Sequence, residues 1–139
     1  MTEHWEVLPQ SAISTWSLLT DVGALGQFYL AGGTGLALQI GHRISRDLDF
    51  FTKDRFDTGG LIRTFASVGT FELEMKAEQT VVGMLNGTKL SFLGYDYPLL
   101  APLLTLRSIS VANMPDIACM KIDAIASRGT KRDFIDLFF

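Results

Sequence analysis

The stretch Phe28–Thr52, FYLAGGTGLALQIGHRISRDLDFFT, decides how this chain is read. It opens on an apolar run, QFYLAG, with the composition of a short buried strand. Gly32-Gly33-Thr34 follows, then TGLALQIG, which reads as a two-turn helix ended by Gly41 in a C-cap role. RDLDFFT reads as a second strand. On a strand, Asp47 and Asp49 stand at i and i+2 and share one face, while Leu48 and Phe50 point into the core. Two adjacent carboxylates repel unless positive charge neutralises them. Mg²⁺ suits that task, because it takes oxygen ligands and usually keeps substrate phosphates among them. Glycines between a strand and a helix allow close backbone approach, and the helix N-terminus offers N–H groups to an anion. Thr34 either caps that helix or offers its hydroxyl to a phosphate. Read singly, the glycine turn is a turn and the Asp-x-Asp is a solvated strand end. Together they have the layout of a triphosphate-and-metal site.

Working outward, residues 9–23 read as an amphipathic helix with Ile13, Trp16, Leu18 and Leu19 inward. Residues 57–68 read as another, with Leu61, Ile62 and Phe65 inward. Three strands follow at 70–77, 80–85 and 88–94, the last two joined by the hairpin pair Asn86-Gly87. Residues 104–111 are expected to form one further strand. Pro115 and Asp116 then sit in the first turn of a helix ending at Gly129, and a last helix starts near Thr130. This order predicts an α+β domain (α/β mixed), a mixed sheet with helices packed on it, occupying residues 1–139 as a single unit. The chain ends on the apolar RDFIDLFF, which either packs back onto the core or marks a piece of a longer protein.

The 139 residues are 47% hydrophobic and 19% charged, with a net charge of −3, so a folded domain is expected and a generally basic nucleic-acid binder is not. One cysteine, Cys119, excludes a disulfide framework and is expected to be a buried small hydrophobe. The two histidines, His4 and His42, give little support to a His-based metal site, and His42 is placed at a helix end. The acidic N-terminus is not a signal peptide, and no apolar run reaches the length of a membrane span, so a cytoplasmic protein is expected. Neither a Walker A motif nor a Gly-x-Ser-x-Gly elbow occurs.

The glycine turn followed by Asp-x-Asp resembles the first motif of the polymerase-β-like nucleotidyltransferase superfamily. More narrowly, FYLAGGTGLALQIGHRISRDLDFF and the C-terminal MKIDAIASRGTKRDFIDLFF resemble the AbiEii/AbiGii toxin family, two motifs in the right order across almost the whole chain. The resemblance implies the polymerase-β-like fold and a Mg²⁺-dependent nucleotidyltransferase. The enzyme would be the toxin of a type IV toxin–antitoxin system, carrying NMP from an NTP to an acceptor hydroxyl, with RNA such as tRNA as acceptor and an antitoxin as partner. It implies that Asp47 and Asp49 bind metal and that Gly32, Gly33 and Thr34 hold the nucleotide phosphates. Lys121 would contact the triphosphate, Asp133 would be a further active-site acid, and Arg43, Arg46 and Arg128 would add positive charge.

Read without the resemblance, Lys121 is a snorkelling surface lysine, and Asp133 and Asp136 are ordinary helix charges. One departure stands out: where superfamily members carry a third metal carboxylate on a later strand, TKLSFLG has Ser91, and Glu72 and Glu74 lie on another strand. That leaves two alternatives open, a catalytically inactive nucleotide-binding module and a nucleotidyltransferase acting on a small molecule such as an antibiotic. The acidic net charge mildly favours the second over a large RNA acceptor.

Overall fold

The computed structural model describes residues 2–23 and 25–127. Among the described residues, seven strands form one mixed sheet in the order β3-β4-β5-β2-β1-β7-β6. They are β1 (Tyr29–Ala31), β2 (Leu48–Thr52), β3 (Phe71–Ala77), β4 (Thr80–Leu85), β5 (Thr88–Gly94), β6 (Leu104–Leu106) and β7 (Ile109–Val111). Among the described residues, four α-helices accompany them: α1 (Gln10–Val22), α2 (Gly32–Ile40), α3 (Thr58–Val68) and α4 (Met114–Ser127). The β1–β2 pair is antiparallel, whereas β2–β5 and β1–β7 are parallel. The mixed α+β reading therefore holds.

Strand alternation places the core. Leu48, Phe50 and Thr52 of β2 are buried, as are Leu90 and Phe92 of β5, and all of these side chains lie on one face of the sheet. Helices α1 and α3 cover that face through Trp16, Leu19, Leu61 and Phe65. Phe50 and Phe92 stack with centroids 5.1 Å apart, and Phe65 packs on Phe92 at 5.1 Å. Ile13, Leu18 and Ile62, expected inward, are partly buried against the same cluster. A second apolar cluster joins Tyr29, Ala31, Leu36, Ala112 and Ile117, with Phe51 and Met120 packed against it, so α2 and α4 serve the other face. Gly35 lets the two helices meet, since a Cβ there would lie 3.3 Å from Ile117 Cδ1.

Asn86-Gly87 forms the expected hairpin turn, with φ of 49° and 84°. Residues 104–111 differ from expectation: they fold as two short strands in a hairpin around Arg107-Ser108. Both turn residues take positive φ, 43° and 68°, with no glycine to announce it. Distant aromatic residues hold that turn in place. Trp16 Nε1 donates to Arg107 O at 3.1 Å, and the Arg107 guanidinium lies 3.9 Å from the Trp5 ring centroid. Cys119, expected buried, is exposed on α4. No helix among the described residues is long and apolar enough to cross a membrane.

Candidate active site

The site forms where β1 ends, α2 begins and β2 starts. Ala31 pairs with Asp49 across the antiparallel β1–β2 ladder, so the chain leaves β1 beside that carboxylate. Gly32 turns the chain into α2 with φ of 65°. A Cβ at Gly32 would lie 2.6 Å from Asp49 Oδ2, so only glycine lets the backbone pass so close to the acid. Helix α2 thus starts at Gly32, two residues earlier than expected, and its first N–H groups lie beside the acidic strand end.

Thr34 is buried at 2% exposure, and its hydroxyl is already occupied. It donates to the Asp47 carbonyl oxygen and is hydrogen-bonded to the Ser45 hydroxyl. Ser45 N in turn donates to Val7 O at 2.9 Å. The result is a pinned loop that carries Asp47 into the strand. Ser45 was not singled out from sequence; a hydroxyl two residues before Asp47 is the only local sign of it.

Asp47 immediately precedes β2, and Asp49 lies within it. Both are half-buried, and the intervening Leu48 is fully buried on the opposite face, as expected. Ser91 stands in register with Asp49 on the parallel strand β5 and is 9% exposed. The position beside Asp49 therefore holds a hydroxyl. Glu74 lies on the edge strand β3 and pairs with Lys89 of β5 at 3.7 Å, while Glu72 is exposed. Among the described residues, no three His, Cys, Asp or Glu side chains gather as a metal-holding group.

Lys121 lies on α4 one turn beyond Ile117 and is only 6% exposed, which corrects the surface reading made without the resemblance. Arg43 is half-buried and Arg46 exposed in the loop between α2 and β2. Arg128, Asp133 and Asp136 lie outside the described residues.

Beyond Asp49 on the same side of β2, Phe51 continues into an aromatic wall. Tyr29 stacks on Phe51 at 6.1 Å, Phe51 meets Tyr95 edge-on at 6.0 Å, and Tyr95 meets Tyr97 at 5.2 Å. Burial, with the nearby Asp116 carboxylate, pushes the Tyr29 phenol up to about 12. Burial, with a hydrogen bond donated to Asp123 Oδ2 at 2.9 Å, also raises that of Tyr95.

The profile of the nucleotidyl transferase AbiEii toxin family, from type IV toxin–antitoxin systems, matches residues 17–100, and the chain belongs to that family. An uncharacterized protein of Aquifex aeolicus (strain VF5) is 40% identical over 125 residues. That match covers 87% of this chain and 61% of the relative, so the chain spans about three fifths of the relative's length. The crystal structure of JHP933 from Helicobacter pylori superposes with a TM-score of 0.59 at 21% identity, over 94% of this chain and 66% of that one. The Megavirus polyadenylate synthase superposes with a TM-score of 0.64 at 13% identity, over 91% of this chain and 30% of that one. The nucleotidyltransferase fold expected from the resemblance is thus present.

Proposed function

We propose that residues 1–139 are the nucleotidyltransferase domain of a type IV toxin, which carries an NMP from an NTP to an acceptor hydroxyl. The acceptor oxygen would bond to the α-phosphorus as the bond to the β-phosphate breaks. Pyrophosphate leaves, and the hydroxyl proton is released. The observation that carries this reading is the closure of Gly32 on Asp49, which sets the N-terminus of α2 against an acidic strand end.

In this reading the free N–H groups at Gly32, Gly33 and Thr34 receive the nucleotide phosphates. The Thr34 hydroxyl contributes indirectly, by fixing the loop that holds Asp47. Lys121 and Arg46 supply positive charge to the triphosphate. The donor set fits Mg²⁺: two half-buried carboxylates two residues apart at the start of a strand, with substrate phosphates completing the oxygen shell, match how this ion is usually held. Held by Asp47 and Asp49, the ion would supply Lewis-acid charge that stabilises the leaving pyrophosphate. The toxin family supports an antitoxin as partner. An RNA such as tRNA, met in the cytoplasm, is the acceptor in this proposal.

Ser91 beside Asp49 favours a second reading, in which the same fold binds NTP without turning it over. Calorimetric titration with each NTP, with and without Mg²⁺, tests the site in wild type, Asp47→Ala and Asp49→Ala. Mg²⁺-dependent binding abolished by both substitutions, with pyrophosphate released on adding a total RNA pool, is the expected result. Binding without release from any acceptor would select the second reading. No binding by folded wild type would sink both.

A further inference from the structure

The cavity between α4 and the segment after β5 has no part in the chemistry above. It has a volume of about 480 Å³ and is lined by Tyr95, Tyr97, Leu100, Cys119, Met120 and Asp123 among others. That volume lies in the range of small-ligand sites, roughly 300–1,000 Å³.

We propose that this cavity receives an unpaired nucleobase, stacked on Tyr97 and Tyr95 at the far end of the aromatic wall that starts beside Asp49. The inference rests on the nucleotidyltransferase reading and deepens it. The source of the base is either the incoming NTP or the end of a single-stranded RNA acceptor.

Tyr97 is 67% exposed although it touches Tyr95, so an aromatic face is left in water at the cavity mouth. Every base presents a π-face, and stacking on such rings is tolerant of sequence. The Tyr95 ring is fixed in place by its hydrogen bond to Asp123. Met120 adds a polarizable thioether suited to an aromatic edge. The charged residues of the lining, Asp116 and Asp123, are both acidic, so the cavity rejects phosphate and accepts an uncharged ring with N–H donors. Both Asp116 oxygens are taken, by Leu100 N at 2.6 Å and Ala101 N at 3.0 Å, so that carboxylate shapes the cavity wall. A ring contact links the cavity wall to the acidic strand. Phe51, which touches Tyr95, is two residues from Asp49 on the same side, about 6.6 Å along the strand. Tyr29, at the other end of the wall, buries a hydroxyl that has no partner among the described residues and lines an adjoining cavity that shares Tyr97. A buried group of that kind is uncommon without a ligand or water to satisfy it.

Cys119, the sole cysteine, is exposed at the cavity and gives a direct probe. The rate at which it reacts with a disulfide reagent such as DTNB is followed with no ligand and with each NTP plus Mg²⁺. Inorganic tripolyphosphate plus Mg²⁺ and a mixed-sequence single-stranded oligoribonucleotide are the other two ligands. Saturable protection of about tenfold by an NTP but not by tripolyphosphate assigns the incoming base. Protection by the oligoribonucleotide alone assigns the acceptor base. Tyr97→Ala should weaken the protecting ligand about tenfold, with Tyr97→Phe restoring it.

Equal protection by tripolyphosphate, or an affinity untouched by Tyr97→Ala, overturns the proposal. So does a Cys119 that is unreactive without ligand, which would mean that other polypeptide covers the cavity. NTP binding seen by calorimetry with no protection by any ligand also overturns it, yet leaves the nucleotidyltransferase reading standing. Loss of calorimetric NTP binding is the separate result that would remove that reading.

Discussion

Ser91 lies directly beside Asp49 on the parallel strand β5, so the two side chains share one face of the sheet. The acidic character of the site thus comes from one strand and the loop before it. Ser91→Asp would set a third carboxylate one strand spacing away, about 4.8 Å. Like charges directly opposite destabilise a sheet, here by about 1 kcal/mol. Thermal melts should show Ser91→Asp less stable than wild type without divalent ions and recovering when Mg²⁺ is added. Equal melting temperatures with and without Mg²⁺ would mean that this face does not bind the ion.

Gly32 and Gly87 both have positive φ, 65° and 84°, but only Gly32 faces an obstacle. Nothing lies within 4 Å of a Cβ at Gly87, so Gly87→Ala isolates the backbone term, about 1–2 kcal/mol. Gly32→Ala adds a methyl group 2.6 Å from Asp49 Oδ2. Asp49 Cβ and Cγ would lie only 3.2 and 3.3 Å away, so swinging the carboxylate does not clear the methyl, and the stability loss should exceed that of Gly87→Ala. Mg²⁺-dependent NTP affinity should fall at least about tenfold, or 1.4 kcal/mol, in Gly32→Ala and stay unchanged in Gly87→Ala. Chemical denaturation and calorimetry on both variants check the split.

Much of this arrangement can be read from local residue chemistry. The glycine turn, the alternation around Leu48 and Phe50 and the Asn86-Gly87 hairpin are all set within a few residues, and the structure has them. The features that escaped are set by distant partners. The Arg107-Ser108 turn depends on Trp5 and Trp16, and no local residue signals its positive φ. Ser91 could be suspected from its strand, but its place beside Asp49 follows from a parallel pairing across the intervening α3 and β3–β4 hairpin. The place of Thr34 at the turn into α2 was legible, while the bond to the Asp47 carbonyl that occupies its hydroxyl was not. The wall from Tyr29 to Tyr97 draws on three separate chain segments and has no sequence signature.

Thr34→Val removes a buried hydroxyl and keeps the side-chain shape. The Ser45 hydroxyl and Asp47 carbonyl would both lose this partner, at a cost of about 1–3 kcal/mol. Thr34→Ser should retain most of the stability. If Thr34 acts by positioning Asp47, NTP affinity should follow stability across the pair. A folded, stable Thr34→Val that has lost NTP binding would instead place the hydroxyl on a phosphate.

The raised phenols of Tyr29 and Tyr95 set an alkaline limit. In the unfolded chain tyrosine ionises near pH 10, whereas the folded Tyr29 holds its proton to about 12 and Tyr95 is also shifted upward. Above pH 10 the unfolded chain binds fewer protons than the native one, so stability falls as pH rises. The stabilisation is fully present below pH 10 and is lost through the window between that value and the folded values. Denaturation midpoints should be insensitive to these groups at neutral pH and fall above pH 10. Tyr95→Phe should flatten the fall; an unchanged slope would show that Tyr95 ionises freely in the native state.

Asp116 is 4% exposed in the first turn of α4, and its two oxygens accept the N–H groups of Leu100 and Ala101. It therefore ties the segment after β5 to the helix and closes one side of the tyrosine-lined cavity. Asp116→Ala leaves two N–H groups without their acceptor and should cost about 3 kcal/mol, the upper range for bonds to a charged group. Asp116→Asn keeps an acceptor oxygen but loses the charge, so its cost should be smaller. Removing that charge also removes one of the two causes that hold the Tyr29 phenol up, so its ionisation should move down towards the ordinary value. Denaturation curves rank the variants, and an ultraviolet titration of the tyrosines reads the shift. An Asn variant as unstable as the Ala variant, with unmoved Tyr29 ionisation, would show that Asp116 does not hold this segment through its carboxylate.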